Sequence, residues 1–232
     1  DATRSVSAII KSRIVPTALE FMTRDSIAAV KALSGKDIPH PDAAAHLLIT
    51  LDGTDKAAID AEYEKVGEIC MENGASDVLV ADNPKLRDRL WEARRMIIEA
   101  LQHLSPERIM DTEDLVVPRA SIPDLLGHIR DIAAKHGMKI ICFGHAGDGN
   151  VHVNIIKDMP DEAWKAKRGP LADDMYKSAL DLKGSITGEH GIGLTRRQYL
   201  RMAVSESQIN LMRKIKEAFD PLNVLNPGKI LP

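Results

Sequence analysis

The stretch "CFGHAGDGNVHVNII", residues 142–156, sets up the fold, because apolar runs lie on both sides of a glycine-rich turn. It predicts a tight hairpin whose arms are "KIICFGH" (139–145) and "VHVNII" (151–156). Gly147 and Gly149 supply the backbone freedom that the turn requires. The hairpin places two antiparallel strands at the centre of whatever sheet the chain builds.

Outward from the hairpin, the chain alternates between segments of helical and of strand periodicity. Helices are predicted within 3–14 and at 25–35, 54–73, 83–104, 121–137, 161–182 and 205–219, with strands at 15–23, 46–52, 76–82 and 108–118 and an extended piece at 184–193. Single helices between strands predict an α+β fold in which helices cover one face of a mostly antiparallel sheet. The order of elements recurs at 15–82 and 108–156, so we expect a duplicated ferredoxin-like unit.

Composition narrows the class of protein. The chain has 232 residues, 44% of them hydrophobic, which is enough for one large domain or two small ones. A formal charge of -3 and only 3% aromatic residues leave neither a basic groove nor a stacking platform, so nucleic acid is excluded as an expected partner. Cys70 and Cys142 lie far apart without a CxxC motif, which is typical of reduced thiols.

Location and boundaries follow from the same inspection. No apolar run approaches the roughly 20 residues that span a bilayer, and no leader opens the chain, so we expect a soluble, cytoplasmic protein. The sequence begins at Asp1 and leads at once into a segment with helical spacing. We therefore expect a domain cut from a larger protein.

His145 and His152 flank the predicted hairpin turn and can stand opposite each other on one face of the two strands. Opposed residues have Cβ atoms about 4.5–5.5 Å apart, a spacing at which two imidazoles can share one metal ion. Side chains alternate along a strand, so Asn154 shares the face of His152. The pair predicts part of a metal site.

A divalent ion held by two histidines needs a further ligand, and "TGEHGIG" (187–193) offers one. Glu189 would complete a His, His, Glu set with open positions, the pattern of a catalytic site. His190 points elsewhere in an extended segment and is then free to act as a general base, since histidine titrates near neutral pH.

Simpler interpretations exist for each of these features. A histidine near a turn is commonly a polar group whose hydrogen bonds go to backbone. "GDGN" (147–150) is consistent with a plain hairpin turn, whereas a phosphate loop is poorly supported because no Lys-Ser or Lys-Thr pair follows. The "RR" pair of "LWEARRMI" (90–97) is by default part of a solvated helix face.

Four longer motifs carry a resemblance to a known family. They are "MDTEDLVVPR" (110–119), "CFGHAGDGNVHVNI" (142–155), "GSITGEHGIG" (184–193) and "FDPLNVLNPGKILP" (219–232). Together they resemble the C-terminal domain of FAD-linked oxidases, in the group of D-lactate dehydrogenases, the flavin subunit of glycolate oxidase and D-2-hydroxyglutarate dehydrogenases. The likeness covers nearly the whole chain.

The resemblance implies that residues 1–232 form one domain of a two-domain enzyme. In that family an N-terminal domain holds FAD, and the C-terminal domain caps the flavin and supplies much of the substrate site. Nothing in this sequence resembles the FAD-binding half, and the resemblance implies a further strand before the opening helix. We expect the 232 residues alone to be inactive and to hold FAD poorly.

The resemblance also assigns roles at matching positions. The metal ligands of metal-dependent relatives match His145, His152 and Glu189, and their catalytic base matches His190. We expect zinc first, with manganese or iron left open because geometry would decide. Within "NPGKILP" (226–232), Asn226 is expected to lie at the flavin cofactor by the same analogy.

Two further positions concern the substrate. Arg94 matches an arginine that binds the substrate carboxylate, a task suited to a planar guanidinium, and Asn154 matches a substrate-site asparagine. In hydroxyglutarate-acting relatives a threonine and a lysine help to hold the substrate, but this chain has Ile98 and Thr112 at those places. The departures favour a short 2-hydroxy acid over a dicarboxylate.

The predicted function is thus substrate binding in a flavin-dependent oxidoreductase that oxidises a D-2-hydroxy acid of the glycolate or lactate type, with hydride transfer to FAD. The alternatives are a stand-alone metal-dependent hydrolase that uses the same ligands and a non-catalytic cap whose role is interaction. Expected partners are the FAD-binding domain, a second copy in a homodimer, or electron-transfer subunits. The individual acid and the electron acceptor stay open.

Overall fold

The hairpin predicted at 139–156 forms the centre of the sheet. A computed structural model describes residues 1–36 and 38–232. Its elements are α1 (Ala2–Lys11), β1 (Ala18–Thr23), α2 (Arg24–Ser34), β2 (Ala45–Thr50), α3 (Lys56–Glu72), α4 (Pro84–Arg95), α5 (Ile97–Gln102), β3 (Met110–Val116), α6 (Ile122–His136), β4 (Lys139–His145), β5 (Asn150–Ile156), α7 (Asp161–Asp181), α8 (Leu200–Ala203) and α9 (Glu206–Phe219). The predicted α+β class is confirmed.

The five strands form one sheet in the order β2-β1-β4-β5-β3, and every neighbouring pair is antiparallel. Strands β4 and β5 pair from Lys139 opposite Ile156 to His145 opposite Asn150, which confirms the hairpin. Its turn needs glycine at 149, where φ is +90° and a Cβ would lie 2.0 Å from the carbonyl oxygen of Val117. The long central strands join the two halves of the chain in one sheet.

Helices cover both faces of this sheet, not the single face that the sequence predicted. On one face, Val151, Val153 and Ile155 of β5 pack in a cluster with buried residues of α6 and α7. On the other face, Ile141 and Phe143 of β4 pack with α2 and α5. Side chains on either face of β5 are therefore covered, which explains why every residue of the strand is buried.

Two of the predicted elements differ in the structure. Residues 76–82 do not form a strand, because within the described part of the chain their backbone pairs with no neighbouring strand. The side chains of Val78, Leu79 and Val80 are exposed. The predicted helix at 83–104 is two helices, α4 and α5, that meet at Met96. The duplicated ferredoxin-like unit is not confirmed, because the first half contributes only β1 and β2 to the sheet.

Helix ends follow the chemistry of their capping residues. The side chain of Asn83 accepts a hydrogen bond from the Leu86 amide at 2.9 Å and precedes Pro84, as predicted for the start of α4. Ser205 begins α9 with a capping box completed by Gln208. Across the residues that the structure describes, no helix combines the length and the apolar character needed to cross a membrane.

Candidate active site

Four ionisable side chains form a row across the sheet, on the face covered by α2 and α5. Glu20 of β1 lies opposite His145 of β4, and His152 of β5 lies opposite Asp114 of β3. The row therefore crosses four neighbouring strands. The alternation of side chains along each strand keeps all four on one face.

The two histidines in the middle of the row are not arranged as the sequence predicted. His145 and His152 do not stand opposite each other, because His145 pairs with Asn150 and His152 pairs with Phe143. The four-residue turn at 146–149 makes the histidines diagonal neighbours, yet their Nε2 atoms approach to 3.2 Å. Diagonal side chains of this length are still within reach of each other.

Glu189 brings a third ligand atom to the two histidines. Its Oε1 lies 3.5 Å from Nε2 of His145 and 3.5 Å from Nε2 of His152. A tetrahedral zinc ion about 2.0–2.1 Å from each ligand would hold such atoms roughly 3.3–3.4 Å apart. The triangle of donor atoms therefore fits one face of a zinc coordination sphere, as the predicted ligand set requires.

The site is closed below and open above. The His152 side chain is only 7% exposed, that of His145 is 30% exposed, and that of Glu189 is 54% exposed. A group bound to the three donor atoms would thus contact the sheet on one side and stay accessible to solvent on the other. Open positions of this kind are typical of catalytic and not of structural metal sites.

Asp114 anchors the loop that carries Glu189. Its Oδ2 accepts hydrogen bonds from the amides of Gly188 at 2.8 Å and His190 at 2.9 Å, and from the Thr187 hydroxyl at 3.2 Å. At position 188 a Cβ would lie 2.6 Å from Nδ2 of Asn150 and 2.6 Å from Cγ2 of Val116, so a larger residue would have to displace these side chains from the loop. The loop is therefore fixed on both sides of Glu189.

The neighbouring residue of β3, Glu113, secures the same loop from the opposite face of the sheet. Its Oε2 accepts from Nε of Arg196 at 2.8 Å and from the Tyr176 hydroxyl at 2.5 Å. Arg196 also donates to the carbonyl oxygens of Thr112 at 2.6 Å and of Gly191 at 3.3 Å. The loop end at 191 is thereby tied to β3 and, through Tyr176, to α7.

Arg94 lies at the other end of the row. Its Nε and Nη2 both contact Oε2 of Glu20, at 2.9 and 2.7 Å, and its Cζ sits 4.5 Å from the centre of the Phe143 ring. Oε1 of the same Glu20 accepts from Nδ1 of His145 at 2.7 Å. The default interpretation of Arg94 as part of a solvated helix face is wrong, since its side chain is only 12% exposed.

The row shifts the pKa values of its members in opposite directions. Burial alone raises the pKa of Glu20, but the His145 hydrogen bond and the Arg94 charge outweigh it, so the pKa is lowered. The Glu20 hydrogen bond raises the pKa of His145. Burial, followed by the charge of His145, lowers the pKa of His152 to about 4. Burial also raises the pKa of Asp114, yet the amides of His190 and Gly188 bring it below its ordinary value.

His190, predicted as a base, lies at the rim of the site. Its ring stacks on that of His152, with centroids 5.4 Å apart and an interplanar angle of 12°. Its Nε2 lies 3.7 Å from Oε1 of Glu189. The side chain is exposed, which leaves it accessible to a molecule bound over the three donor atoms.

Asn154 shares the face of the row, as predicted, but lies deeper. It is completely buried, and its Nδ2 donates to the carbonyl oxygens of Ile141 and His152 at 3.1 and 3.2 Å. Its Oδ1 accepts from the Thr112 hydroxyl at 3.0 Å. These bonds engage both ends of the amide and position it beneath the candidate ligands.

Comparison with known proteins assigns the family. The model for the C-terminal domain of FAD linked oxidases matches residues 1–230. The chain belongs to this family of C-terminal oxidase domains. It is 37% identical over 229 residues to the glycolate oxidase subunit GlcD of Bacillus subtilis, covering 99% of this chain and 48% of that protein. It is 34% identical over 236 residues to a D-lactate dehydrogenase of Anaerostipes hadrus, covering 99% and 49%.

The oxidase domain thus spans about half the length of the curated relatives it matches. Among solved structures, p-cresol methylhydroxylase with substrate bound superposes with a TM-score of 0.69 at 14% identity, covering 99% of this chain and 50% of that one. At that identity the likeness concerns the fold alone. The predicted recognition of the family is confirmed, and the curated relatives that the chain matches include an oxidase subunit and a dehydrogenase.

The remaining predicted site residue of the oxidase domain, Asn226, lies apart from the row. It has a φ of +47° in the segment after α9, and it borders an open cleft of about 450 Å³ formed with side chains such as Phe219 and Ile230. Among the contacts described for residues 1–36 and 38–232, none joins Asn226 to the row. Its role at a flavin stays a prediction.

Two members of the row were missed by the sequence prediction. Glu20 lies in "ALEFMT" (18–23) and Asp114 in "MDTEDLV" (110–116), both inside segments that read as ordinary strands. The available signal at Glu20 was a carboxylate at a strand position whose alternate neighbours, Ala18 and Met22, are apolar, whereas Asp114 has the polar Thr112 as one such neighbour and gave a weaker signal. Such a residue must be paired when buried, and so indicates a partner on the same face.

Proposed function

We propose that this domain supplies the substrate site of an FAD-dependent enzyme that oxidises a short D-2-hydroxy acid of the glycolate or lactate type. The convergence of Nε2 of His145, Nε2 of His152 and Oε1 of Glu189 within 3.2–3.5 Å carries the proposal. This triangle lies between the exposed His190 ring and Arg94. A base beside an ion site suits a substrate hydroxyl, and a cation on the other side suits the carboxylate next to that hydroxyl.

When bound, a flavin would accept a hydride and a divalent ion, zinc first, would lower the pKa of an oxygen that it contacts. His145, His152 and Glu189 would hold the ion. The pKa of His152, about 4, keeps this ring neutral at pH 7 and its Nε2 able to bind a cation. The donor set therefore fits the ion by its spacing, and His152 fits it by charge state as well.

The chain's own residues would divide the remaining tasks. Arg94 would bind the substrate carboxylate, because a guanidinium has five N–H groups and Glu20 engages only one side of it. His190 would remove the proton of the 2-hydroxyl, since its imidazole is exposed beside the ligand triangle. Stacking on His152 would hold the His190 ring in place.

The residues at positions 98 and 112 support a short substrate. Ile98 follows Arg94 by one turn and offers no hydrogen-bond donor to a second carboxylate. The Thr112 hydroxyl donates to Asn154 and is therefore engaged within the protein. A second substrate carboxylate would have no cation at these two positions, which favours glycolate or lactate over a dicarboxylic acid.

An apolar surface after α9 supports the presence of a flavin-binding half. Phe219 and Leu222 are each 82% exposed, and Val224 and Leu225 add to the same exposed segment. Contiguous apolar surface of this kind marks an interaction site. Since the chain spans about half the length of its relatives, the FAD-binding half is the occupant we propose, with Asn226 at its border.

The metal part of the proposal is tested by elemental analysis of the purified chain after zinc reconstitution. We expect about one zinc ion per chain, lost from both His145→Ala and Glu189→Ala. The matched control is His128→Ala, because His128 bonds Ser178 between α6 and α7 and should leave zinc content unchanged. Zinc retained in both ligand variants would contradict the assigned set.

The catalytic part is tested in the protein that joins this domain to a flavin-binding half. Reduction of a dye acceptor is measured with D-lactate, glycolate and D-2-hydroxyglutarate. We expect oxidation of a short acid, a loss of about 10²–10⁴-fold in kcat for His190→Ala and a large increase in KM for Arg94→Met. Preference for the dicarboxylate, or full activity of His190→Ala, would overturn the proposal.

A further inference from the structure

We infer that Glu20 and Asp114 are positioning residues that direct Nε2 of His145 and Nε2 of His152 toward the candidate ion site. The inference rests on the proposed function, because it concerns the same site, but it adds two carboxylates to the three ligands. Both lie in the cross-strand row, each directly opposite the histidine that it orients. Each works through a histidine and does not itself contact the ion.

The first pair is complete in the structure. Nδ1 of His145 lies 2.7 Å from Oε1 of Glu20, whose Oε2 is paired with Arg94, and a carboxylate held in this way accepts the hydrogen bond. A proton is therefore fixed on Nδ1, and Nε2 faces His152 and Glu189. A carboxylate behind a metal-binding histidine commonly fixes the tautomer and the ring orientation in this way.

The second pair follows from two orphaned buried atoms. Nδ1 of His152 and Oδ1 of Asp114 are both inaccessible, and neither has a hydrogen-bond partner among the described residues. They lie 3.7 Å from each other, so a movement of about 1 Å would join them as donor and acceptor. Buried polar atoms without partners are costly, and each supplies what the other lacks.

Asp114 also links ring orientation to the position of the third ligand. Its Oδ2 accepts from the amides of Gly188 and His190, the residues on either side of Glu189. Its Oδ1 is left for His152. One buried carboxylate thus sets the direction of one ligand and the location of another.

A direct ligand role for Asp114 is less consistent with the structure. Asp114, His152 and His190 also lie close enough to one another to hold an ion. An ion there would meet a carboxylate that is completely buried and whose Oδ2 already accepts three hydrogen bonds. A catalytic ion needs an open position, which the exposed Glu189 side of the site provides.

The test uses isosteric variants of the 232-residue chain. In Asp114→Asn the amide oxygen must keep the two backbone donors, so its NH₂ faces His152 and favours the wrong tautomer. In Glu20→Gln the oxygen must stay with Arg94, and the NH₂ faces His145 in the same way. Asp174→Asn, which removes a carboxylate paired with Lys135 and His136, is the control for loss of charge.

The first measurement is zinc affinity by competition with a chelator at pH 7.5. We expect each isosteric variant to bind zinc about 10–100-fold more weakly than the parent chain, with no more than a twofold change in Asp174→Asn. Unchanged affinity in both Asp114→Asn and Glu20→Gln would overturn the inference while zinc binding itself stands. A loss as large as that of His145→Ala would make Asp114 a ligand and equally overturn it.

The second measurement needs no metal. Nitrogen-15 chemical shifts of His152 report which of its ring nitrogens carries the proton. The shifts are measured in the His145→Ala background, because Nε2 of His145 could otherwise bond Nε2 of His152 and determine the tautomer. We expect the proton on Nδ1 when Asp114 is present and on Nε2 when Asn replaces it, in variants with unchanged circular dichroism. A proton on Nε2 beside Asp114 would refute the positioning role even if the chain bound no zinc and the proposed function failed.

Discussion

Replacing either partner of the buried pair between Arg94 and Glu20 should lower the free energy of unfolding. Replacing both partners together should lower it by less than the sum of the two single losses. The two side chains are 12% and 8% exposed and approach to 2.7 Å. At an effective dielectric constant of about 20, two unit charges at that distance attract by about 6 kcal/mol before desolvation is subtracted. Much of this attraction only offsets the free-energy cost of removing the two charges from water.

The perturbations are Glu20→Gln, Arg94→Met and the double variant, compared in urea unfolding followed by circular dichroism. We expect each single variant to lose about 3 kcal/mol, because each leaves a buried charge without its partner. The double variant should recover about 2 kcal/mol relative to the sum of the two losses, the size of coupling found between contacting charged groups.

A surface pair provides the matched control. Lys177 and Asp181 approach to 2.6 Å on α7 but are 70% and 63% exposed, so their coupling should stay below about 0.5 kcal/mol. Additivity within about 0.5 kcal/mol at Arg94 and Glu20 would refute the reasoning, since it would mean that the buried pair contributes no more than an exposed one.

Three further predictions concern the thiol, the turn and pH. Burial raises the pKa of Cys142 to about 12, so its thiol should not react with a disulfide reagent at pH 8 until urea unfolds the chain, and rapid labelling of the native chain would contradict this. Gly144→Ala places a Cβ 2.3 Å from the carbonyl oxygen of Asn150 and should cost about 2 kcal/mol in urea unfolding, whereas Gly127→Ala in α6 meets nothing within 4 Å and should stabilise by about 0.5–1 kcal/mol. The folded-state pKa of His152, about 4, lies below its unfolded value, so the unfolded chain binds more protons and stability is lost as pH falls through the window from about 6.5 to 4. Between pH 7 and 4.5, in the presence of a chelator, the parent should lose about 2 kcal/mol more than His152→Phe, and equal losses would show that this ring is protonated in the folded chain.

The central hairpin could be predicted from the sequence because its signals are local. Alternating apolar residues and a glycine-rich turn specify β4 and β5 without reference to the rest of the chain. The relative register of His145 and His152 could not be read in the same way, because it depends on how many residues the turn contains. One residue more or less in either arm changes which side chains face each other.

Elements that depend on distant partners were predicted less well. Residues 76–82 have strand composition, but a strand exists only where a neighbour supplies hydrogen bonds, and composition does not reveal that neighbour. Glu20 and Asp114 gave no motif, because the groups that explain their burial lie more than 70 residues away in Arg94 and the loop after Thr187. Coverage of both sheet faces likewise depends on how helices pack after the strands have paired.

The row of Glu20, His145, His152 and Asp114 has a consequence for how the chain reaches its native state. Its members come from four strands, and Glu189 adds a loop, so the row and this loop are complete only when residues from 20 to 190 are folded together. A fragment that begins after β1 contains the three donor atoms but lacks Glu20 behind His145. An ion that binds the three donor atoms would therefore stabilise the whole native sheet and not one segment, and its uptake would follow folding cooperatively. Increasing zinc concentration should then raise the melting temperature of the intact chain, so that the fraction of chains that bind zinc also measures the fraction that is fully folded.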